Sequence, residues 1–256
     1  MQQQKWCATL MVLVAIAFLH SNAFSAVTDG LVGKWSFDEG QGDVARDEIG
    51  GHDGTVERAA WTTDAQGGGY ALEFSPADDT KVTVAHSNDF FGADGSFTVA
   101  NWAKPLSRGA MMDKSDKVNR IQWYILEEDP GWRFHWGGGP GFTFSPFAAN
   151  WGEWHHCAWV HSASASTSYL DGVAIHTEPD MGPIVLTTEP MYFGDMGILA
   201  AGNPRQQNFE GVLDEFHIWN RALSADEIMQ FYQGGGTAVS PKSKLAITWA
   251  ALKTSD

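Results

Sequence analysis

Val212-Leu213-Asp214-Glu215-Phe216-His217-Ile218-Trp219-Asn220-Arg221-Ala222-Leu223-Ser224 reads as a β-strand running directly into the start of a helix. Period two places Val212, Asp214, Phe216 and Ile218 on one face of that strand, expected over residues 209–219. Ser224 with Glu227 three residues on makes a capping box, and Leu223 and Ile228 occupy the two positions of a hydrophobic staple. A helix is therefore expected over residues 225–232, acidic in its first turn as the helix dipole favours. Gly234-Gly235-Gly236 ends it.

Working outward, the rest of the chain is a series of short strands separated by turn signals. In Leu31-Val32-Gly33-Lys34-Trp35-Ser36-Phe37 alternation puts Leu31, Gly33, Trp35 and Phe37 on one face. Further runs lie at 70–74, 81–85, 96–102, 121–127, 132–136, 154–161, 166–170, 173–177 and 191–194. Asp171-Gly172 between two of them suits a two-residue hairpin, whose central residues both take positive φ. Many short strands at this spacing indicate an all-β sandwich or barrel. No repeat of 20 to 50 residues is visible.

The chain has 256 residues, 43 % of them apolar, which suits one domain and excludes a disordered chain. It carries 16 Lys and Arg against 31 Asp and Glu, a net charge of −15. That balance argues against a nucleic-acid partner and against adhesion to anionic membrane, both of which require clustered cations. At the N-terminus a short polar stretch with Lys5 precedes an apolar run of 13 residues, Cys7 to Leu19, too short to span a bilayer. Small residues follow at 21–26, so residues 1–26 read as a signal peptide cleaved near 23–26, with no membrane span beyond it and a secreted or cell-surface product. Residues 27–234 form the folded domain, and 235–256 a Gly-rich linker and tail. Cleavage leaves one cysteine, Cys157, in Trp154-His155-His156-Cys157-Ala158-Trp159, where a lone thiol among apolar neighbours acts as a small core residue. No disulfide framework and no thiolate zinc site follows from that count.

Several stretches, in order, resemble the laminin-G-like branch of the concanavalin A-like lectin/glucanase jelly rolls. They are residues 31–40, Asp47-Glu48-Ile49-Gly50-Gly51-His52-Asp53-Gly54, Ala71-Leu72-Glu73-Phe74, residues 96–102, residues 154–158, Tyr169-Leu170-Asp171-Gly172, and Leu213 through Ser224. The resemblance implies two antiparallel sheets packed as a jelly-roll sandwich, with one short C-terminal helix and the chain ends adjacent. It also implies that the first and last strands lie side by side. Asp38, Asp47 and Asp214 would then converge, and with His52 or a carbonyl near Gly50 they would offer an oxygen-rich site for a structural Ca²⁺. Asp214 could instead pair with Arg221 or cap the turn. The nine histidines suggest no transition-metal site, because His155 and His156 point to opposite faces of a strand and His161 is too distant.

A glycosidase on this fold would place carboxylates two residues apart on one strand. Glu127-Glu128-Asp129-Pro130-Gly131 falls at a turn instead. There is no Gly-x-Ser-x-Gly elbow and no phosphate-binding loop. For a metal-free lyase Tyr124, Arg133 and His135 are the candidates, with no spacing to single them out. Aromatic residues that could stack on sugar rings concentrate in the middle third: Trp123, Tyr124, Trp132, Trp136 and Trp151. The expectation is a secreted, non-catalytic module that binds an extracellular glycan or protein. The alternatives are a polysaccharide hydrolase or lyase of the same fold and an architectural module of a surface assembly.

Overall fold

The computed structural model describes residues 27–116, 119–126, 131–137, 142–144, 150–179, 186–197 and 208–235. The expected signal peptide, the tail from 236 on and the acids at 127–129 lie outside the described residues, as do the side chains of residues 126–149. Among the described residues there are sixteen strands. These are β1 (Leu31–Trp35), β2 (Val44–Ala45), β3 (Gly54–Glu57), β4 (Ala60–Thr62), β5 (Ala71–Phe74), β6 (Lys81–Val84), β7 (Phe97–Pro105) and β8 (Gly109–Asp113). The second half holds β9 (Arg120–Leu126), β10 (Gly131–Gly137), β11 (Phe142–Phe144), β12 (His155–His161), β13 (Ala165–Leu170), β14 (Val173–Pro179), β15 (Met191–Phe193) and β16 (Gly211–Trp219). One helix, α1 (Ala225–Gln230), follows β16.

The strands pair antiparallel in two sheets. One runs β14-β13-β12-β7-β16-β5-β4 with β1 also on β16, and the other runs β11-β10-β9-β8-β15-β6-β3-β2. The first and last strands are thus neighbours, as the sequence resemblance implied. Between the sheets lies a core that includes Trp35, Phe37, Phe74, Trp123, Trp159, Phe193, Phe216 and Cys157. Phe193 stacks on Phe216 at 4.0 Å between ring centroids, one ring from each sheet. A second apolar cluster, Val27, Ala158, Val160, Trp219, Leu223, Ile228 and Phe231 among others, lies on the outer face of the first sheet, where α1 packs.

The helix begins as its sequence dictates. Ser224 accepts from the Glu227 N–H while the Glu227 carboxylate accepts from the Ser224 N–H. The staple residues Leu223 and Ile228 are both buried. The helix is shorter than expected, passing at Phe231 into a wider turn, Phe231–Gly235, in which Gly234 takes φ +82°. The Asp171-Gly172 hairpin is also as expected, with φ of 47° and 78°.

Strict alternation in β16 is not what the chain adopts. A bulge interrupts its pairing with β7 between Asp214 and His217, and Glu215 takes φ +49°. An extra residue in one strand reverses the sense of alternation beyond it. Leu213, Phe216 and Ile218 therefore enter the core together. Val212 and Asp214 face outward, not inward with Phe216 and Ile218. A second bulge in β1, between Leu31 and Gly33, similarly separates Leu31, which packs beneath α1, from Trp35 and Phe37 in the core. Five strands were not anticipated: β2, β3, β4, β8 and β11. The first three are two to four residues long and β8 is buried at every position, so none of these four carries a sustained period-two signal. Among the described residues no helix is long and apolar enough to cross a membrane.

Candidate functional site

The four residues expected to bind calcium fall into two separate arrangements. Asp47 organises the loop between β2 and β3. Its Oδ1 accepts from the Lys34 and Ile49 N–H groups at 2.9 and 3.0 Å, and its Oδ2 from those of Gly50 and His52 at 3.1 and 3.0 Å. Its own N–H donates to Asp53 Oδ1. A side chain at Gly50 would strike the Val32 carbonyl at 2.3 Å, so glycine is required there. His52 gives its carbonyl to the Trp35 indole N–H and its ring to an edge contact with Phe90. Asp47 thus pins the loop to β1 with four backbone amides, which occupy the lone pairs a cation would need.

Asp38 and Asp214 meet elsewhere, above the outer face of the first sheet. Asp38 Oδ1 accepts from the Tyr70 N–H at 3.0 Å, and Asp214 accepts from the N–H groups of Gln66 (2.7 Å) and Glu215 (2.8 Å). Arg221, the alternative partner for Asp214, instead pairs with Glu227. These bonds fold the 63–70 loop over the carboxylates, and Gly67, Gly68 and Gly69 supply three successive left-handed residues. A Cβ on Gly69 would lie 1.9 Å from Asp38 Oδ1. The four residues are not brought together as one set: the Asp47 oxygens accept from backbone amides, whereas Asp38 and Asp214 accept from the 63–70 loop.

What the loops enclose is an open cleft of about 1600 Å³ beside α1. Four aromatic residues line it, Tyr70, Trp102, Phe231 and Tyr232, of which Phe231 is buried. Trp102 projects from the outward-facing register of β7 and lies 5.7 Å from Tyr232, with their planes tilted by 34°. Tyr70 is 40 % exposed and rests over Gly40, where a Cβ would come within 2.6 Å of its ring. Asp38, Glu39 and Glu215 share the cleft. Glu39 Oε1 accepts from the Arg46 N–H. The other oxygen of Glu39 and the Oε2 of Glu215 are buried without a hydrogen-bond donor.

Burial pushes the Asp214 carboxyl up to about 8, and the neighbouring Glu215 and Asp38 charges add to it against the two N–H donors that stabilise the anion. Burial likewise raises Glu215 to about 7, with Lys34 pulling it down and Asp38 and Glu48 pushing it up. Next to the cleft, under the Phe231–Gly235 turn, two imidazoles are buried among rings. His156 lies 5.3 Å from both Trp102 and Phe231, and neither of its nitrogens has a partner. His217 stacks on Trp219 and meets Phe231 edge-on. Burial depresses both to about 3, so both are neutral: His156 packs against Tyr232 at 5.8 Å, and His217 Nδ1 lies 2.8 Å from the Glu215 carbonyl, to which it donates.

The aromatic residues picked from sequence are placed differently. Trp123 is wholly buried between the sheets, and Tyr124 packs against Ala110 and Met196 on the other face of its strand. Neither presents a ring to a ligand. For these two, the high local density of aromatics reflects packing and not a surface. Trp151 is 42 % exposed, in a turn held by the Gly152 N–H on the Pro105 carbonyl. Trp132 and Trp136 lie on β10, with side chains outside the described residues. The cleft residues Tyr70, Trp102, Tyr232 and Glu215 were not anticipated. The Gly67-Gly68-Gly69 run before Tyr70 was the available signal, together with the outward parity of Trp102 against Val99 and Asn101.

The sequence profile of the concanavalin A-like lectin/glucanases superfamily matches residues 76–229. The chain belongs to that superfamily. Among solved structures, the binding domain of Paraclostridial Mosquitocidal Protein 1 superposes with a TM-score of 0.65 at 14 % identity, over 81 % of this chain and 53 % of that one. Domain 4 of AbnA, an extracellular GH43 arabinanase from Geobacillus stearothermophilus in complex with arabinotriose, gives 0.63 at 18 % identity, over 79 % and 98 %. A botulinum neurotoxin type C structure, whose cell entry is described as dependent upon interaction with two ganglioside molecules, gives 0.62 at 13 % identity, over 83 % and 53 %. The superfamily member described here spans about half the length of the mosquitocidal and neurotoxin chains. No curated protein matches it in sequence. Identities this low establish a shared fold, and the solved neighbours include domains that bind sugars or receptors.

Proposed function

We propose that this superfamily member is an exported, non-catalytic module that binds an extracellular glycan in the cleft walled by Tyr70, Trp102 and Tyr232. The supporting observation is that the rings of Tyr70, Trp102 and Tyr232 share the cleft with carboxylate oxygens of Glu39 and Glu215 that accept no hydrogen bond. A sugar ring offers an apolar C–H face to an aromatic ring and hydroxyl donors at its edge, so both features of the cleft would be satisfied together. Export rests on the Cys7–Leu19 run with its short polar leader. The arabinotriose and ganglioside associations of the two structural neighbours agree with a glycan ligand.

Affinity electrophoresis of residues 27–256 through gels containing a panel of neutral, amino and acidic polysaccharides tests the proposal. Retardation by at least one polymer, reduced about tenfold in Trp102→Ala and unchanged by chelator, supports it; a loss of one stacking contact of about 1.4 kcal/mol corresponds to that factor. Retardation by none of them removes the glycan. The adjacent Asp214 and Glu215, both held partly protonated near neutrality, favour one second reading, a polysaccharide hydrolase. Reducing ends released by the natural chain and not by Glu215→Gln would select that reading.

A further inference from the structure

We propose that residues 237–256 dock in cis into the same cleft and compete with the glycan, an inference that rests on the cleft being the ligand site. Three observations carry it. The chain as a whole is strongly acidic, and this end is basic. Residues 237–256 hold Lys242, Lys244 and Lys253 against Asp256 alone, leaving 13 basic against 30 acidic residues in the remainder. The cleft has the opposite sign. Asp38, Glu39, Asp43 and Glu215 line it, against Arg46 and a Lys34 already engaged by Glu48 at 2.8 Å.

The second observation is what the cleft lacks. Glu39 Oε2 and Glu215 Oε2 are buried oxygens that accept no hydrogen bond, the latter lying 3.7 Å from the neutral His217 Nε2, and a buried carboxylate oxygen left so carries a desolvation penalty. A lysine ammonium brings three donors and the compensating charge. It is the one side-chain head group that answers both deficits without the planar fork of an arginine.

The third observation is where the chain leaves. Phe231, Tyr232, Gln233 and Gly234 are themselves lining residues, and Gly234 at φ +82° turns the backbone at the rim. The following segment thus starts at the cleft. Lys242 lies seven residues beyond Gly235, a reach of up to about 25 Å when extended. The apolar run at 245–252 carries Trp249, a ring of the kind that the Tyr70 and Trp102 wall would accept. A tether this short sets an effective concentration on the order of 1 mM. Even a free-segment affinity of about 0.1 mM would then weaken glycan binding about tenfold.

Zero-length carbodiimide coupling of the mature full chain, mapped by mass spectrometry, tests the placement. The expected products join Lys242, Lys244 or Lys253 to Asp38, Glu39, Asp43 or Glu215 within one chain. Links from these lysines only to acids away from the cleft, such as Glu153 and Glu178, or only between two chains, would overturn it. The competition is read by the triple variant Lys242→Glu, Lys244→Glu, Lys253→Glu, which should raise polysaccharide retention about tenfold. Equal retention of the variant and the natural chain rejects competition while the glycan reading stands. If neither is retained by any polymer, the glycan reading fails and the coupling map alone decides where the segment sits.

Discussion

Replacing Glu215 with glutamine should stabilise the protein above neutral pH and change it little in mild acid. Burial at the floor of the cleft raises this carboxyl from an ordinary value of 4.5 to about 7, and its side chain is only 20 % exposed. Between those two values the folded protein keeps a proton that the unfolded chain has already released. Stability therefore falls as pH rises through that window and is level again above it. The full shift corresponds to about 3 kcal/mol, and solvent access through the open cleft reduces the expectation to about 2 kcal/mol. The amide of Glu215→Gln would not titrate, and removing the charge also relieves the neighbouring Asp214, in the same direction. Any fixed cost of burying the amide cancels when the difference between the two proteins is compared across pH. Urea unfolding followed by tryptophan fluorescence at about pH 5 and about pH 8 reads that difference, and a change of about 2 kcal/mol moves the midpoint by roughly 1 M. Curves for the two proteins that keep the same separation at both pH values would refute the reasoning, as would a variant that loses ground at the higher pH.

Three further substitutions probe the frame around the cleft. Asp47→Ala strands four backbone N–H groups and should cost about 2–4 kcal/mol, read as a lowered unfolding midpoint, with no response to added calcium in either protein. Gly69→Ala brings a Cβ to 1.9 Å from Asp38 Oδ1 at φ +91°, so the 63–70 loop should detach. Protease cleavage within it would report that, ahead of global unfolding. His156→Phe removes two unpartnered buried nitrogens. The natural imidazole is depressed to about 3, so the unfolded chain takes up its proton first and stability is lost as pH falls below the ordinary value of 6.5. The Phe variant should escape that component and gain about 1–2 kcal/mol near pH 5 by thermal unfolding.

The sandwich was legible because its longer strands alternate and its turns use residues with one backbone meaning. Asp171-Gly172 could hardly be anything but a tight hairpin, and Ser224 with Glu227 fixes the helix start to the residue. The cleft was not legible, for a local reason. It depends on the bulge at Glu215, where a non-glycine residue adopts positive φ inside a strand whose sequence alternates without interruption. Nothing in Asp214-Glu215-Phe216 announces that extra residue, and period two consequently assigned Asp214 to the wrong face. The same limitation applied to Trp123. Composition locates a cluster of rings, but only the pairing of β9 with β8 and β10 decides that this ring points into the core while Trp102, in a strand just as rich in apolar residues, points out. Asp47 was read as a calcium ligand, and the structure gives its oxygens to backbone amides of β1 and of its own loop, a choice made by the turn at Gly50 and Gly51 that spacing does not encode.

The central claim, that the cleft is the ligand site, is tested most directly by hydroxyl-radical footprinting of residues 27–256 with and without a retained polysaccharide. Tyr70, Trp102 and Tyr232 should lose reactivity together on binding, while Trp151, 42 % exposed on a separate turn, keeps its own. Protection at Trp151 with Tyr70, Trp102 and Tyr232 unchanged would contradict the account and move the binding surface elsewhere.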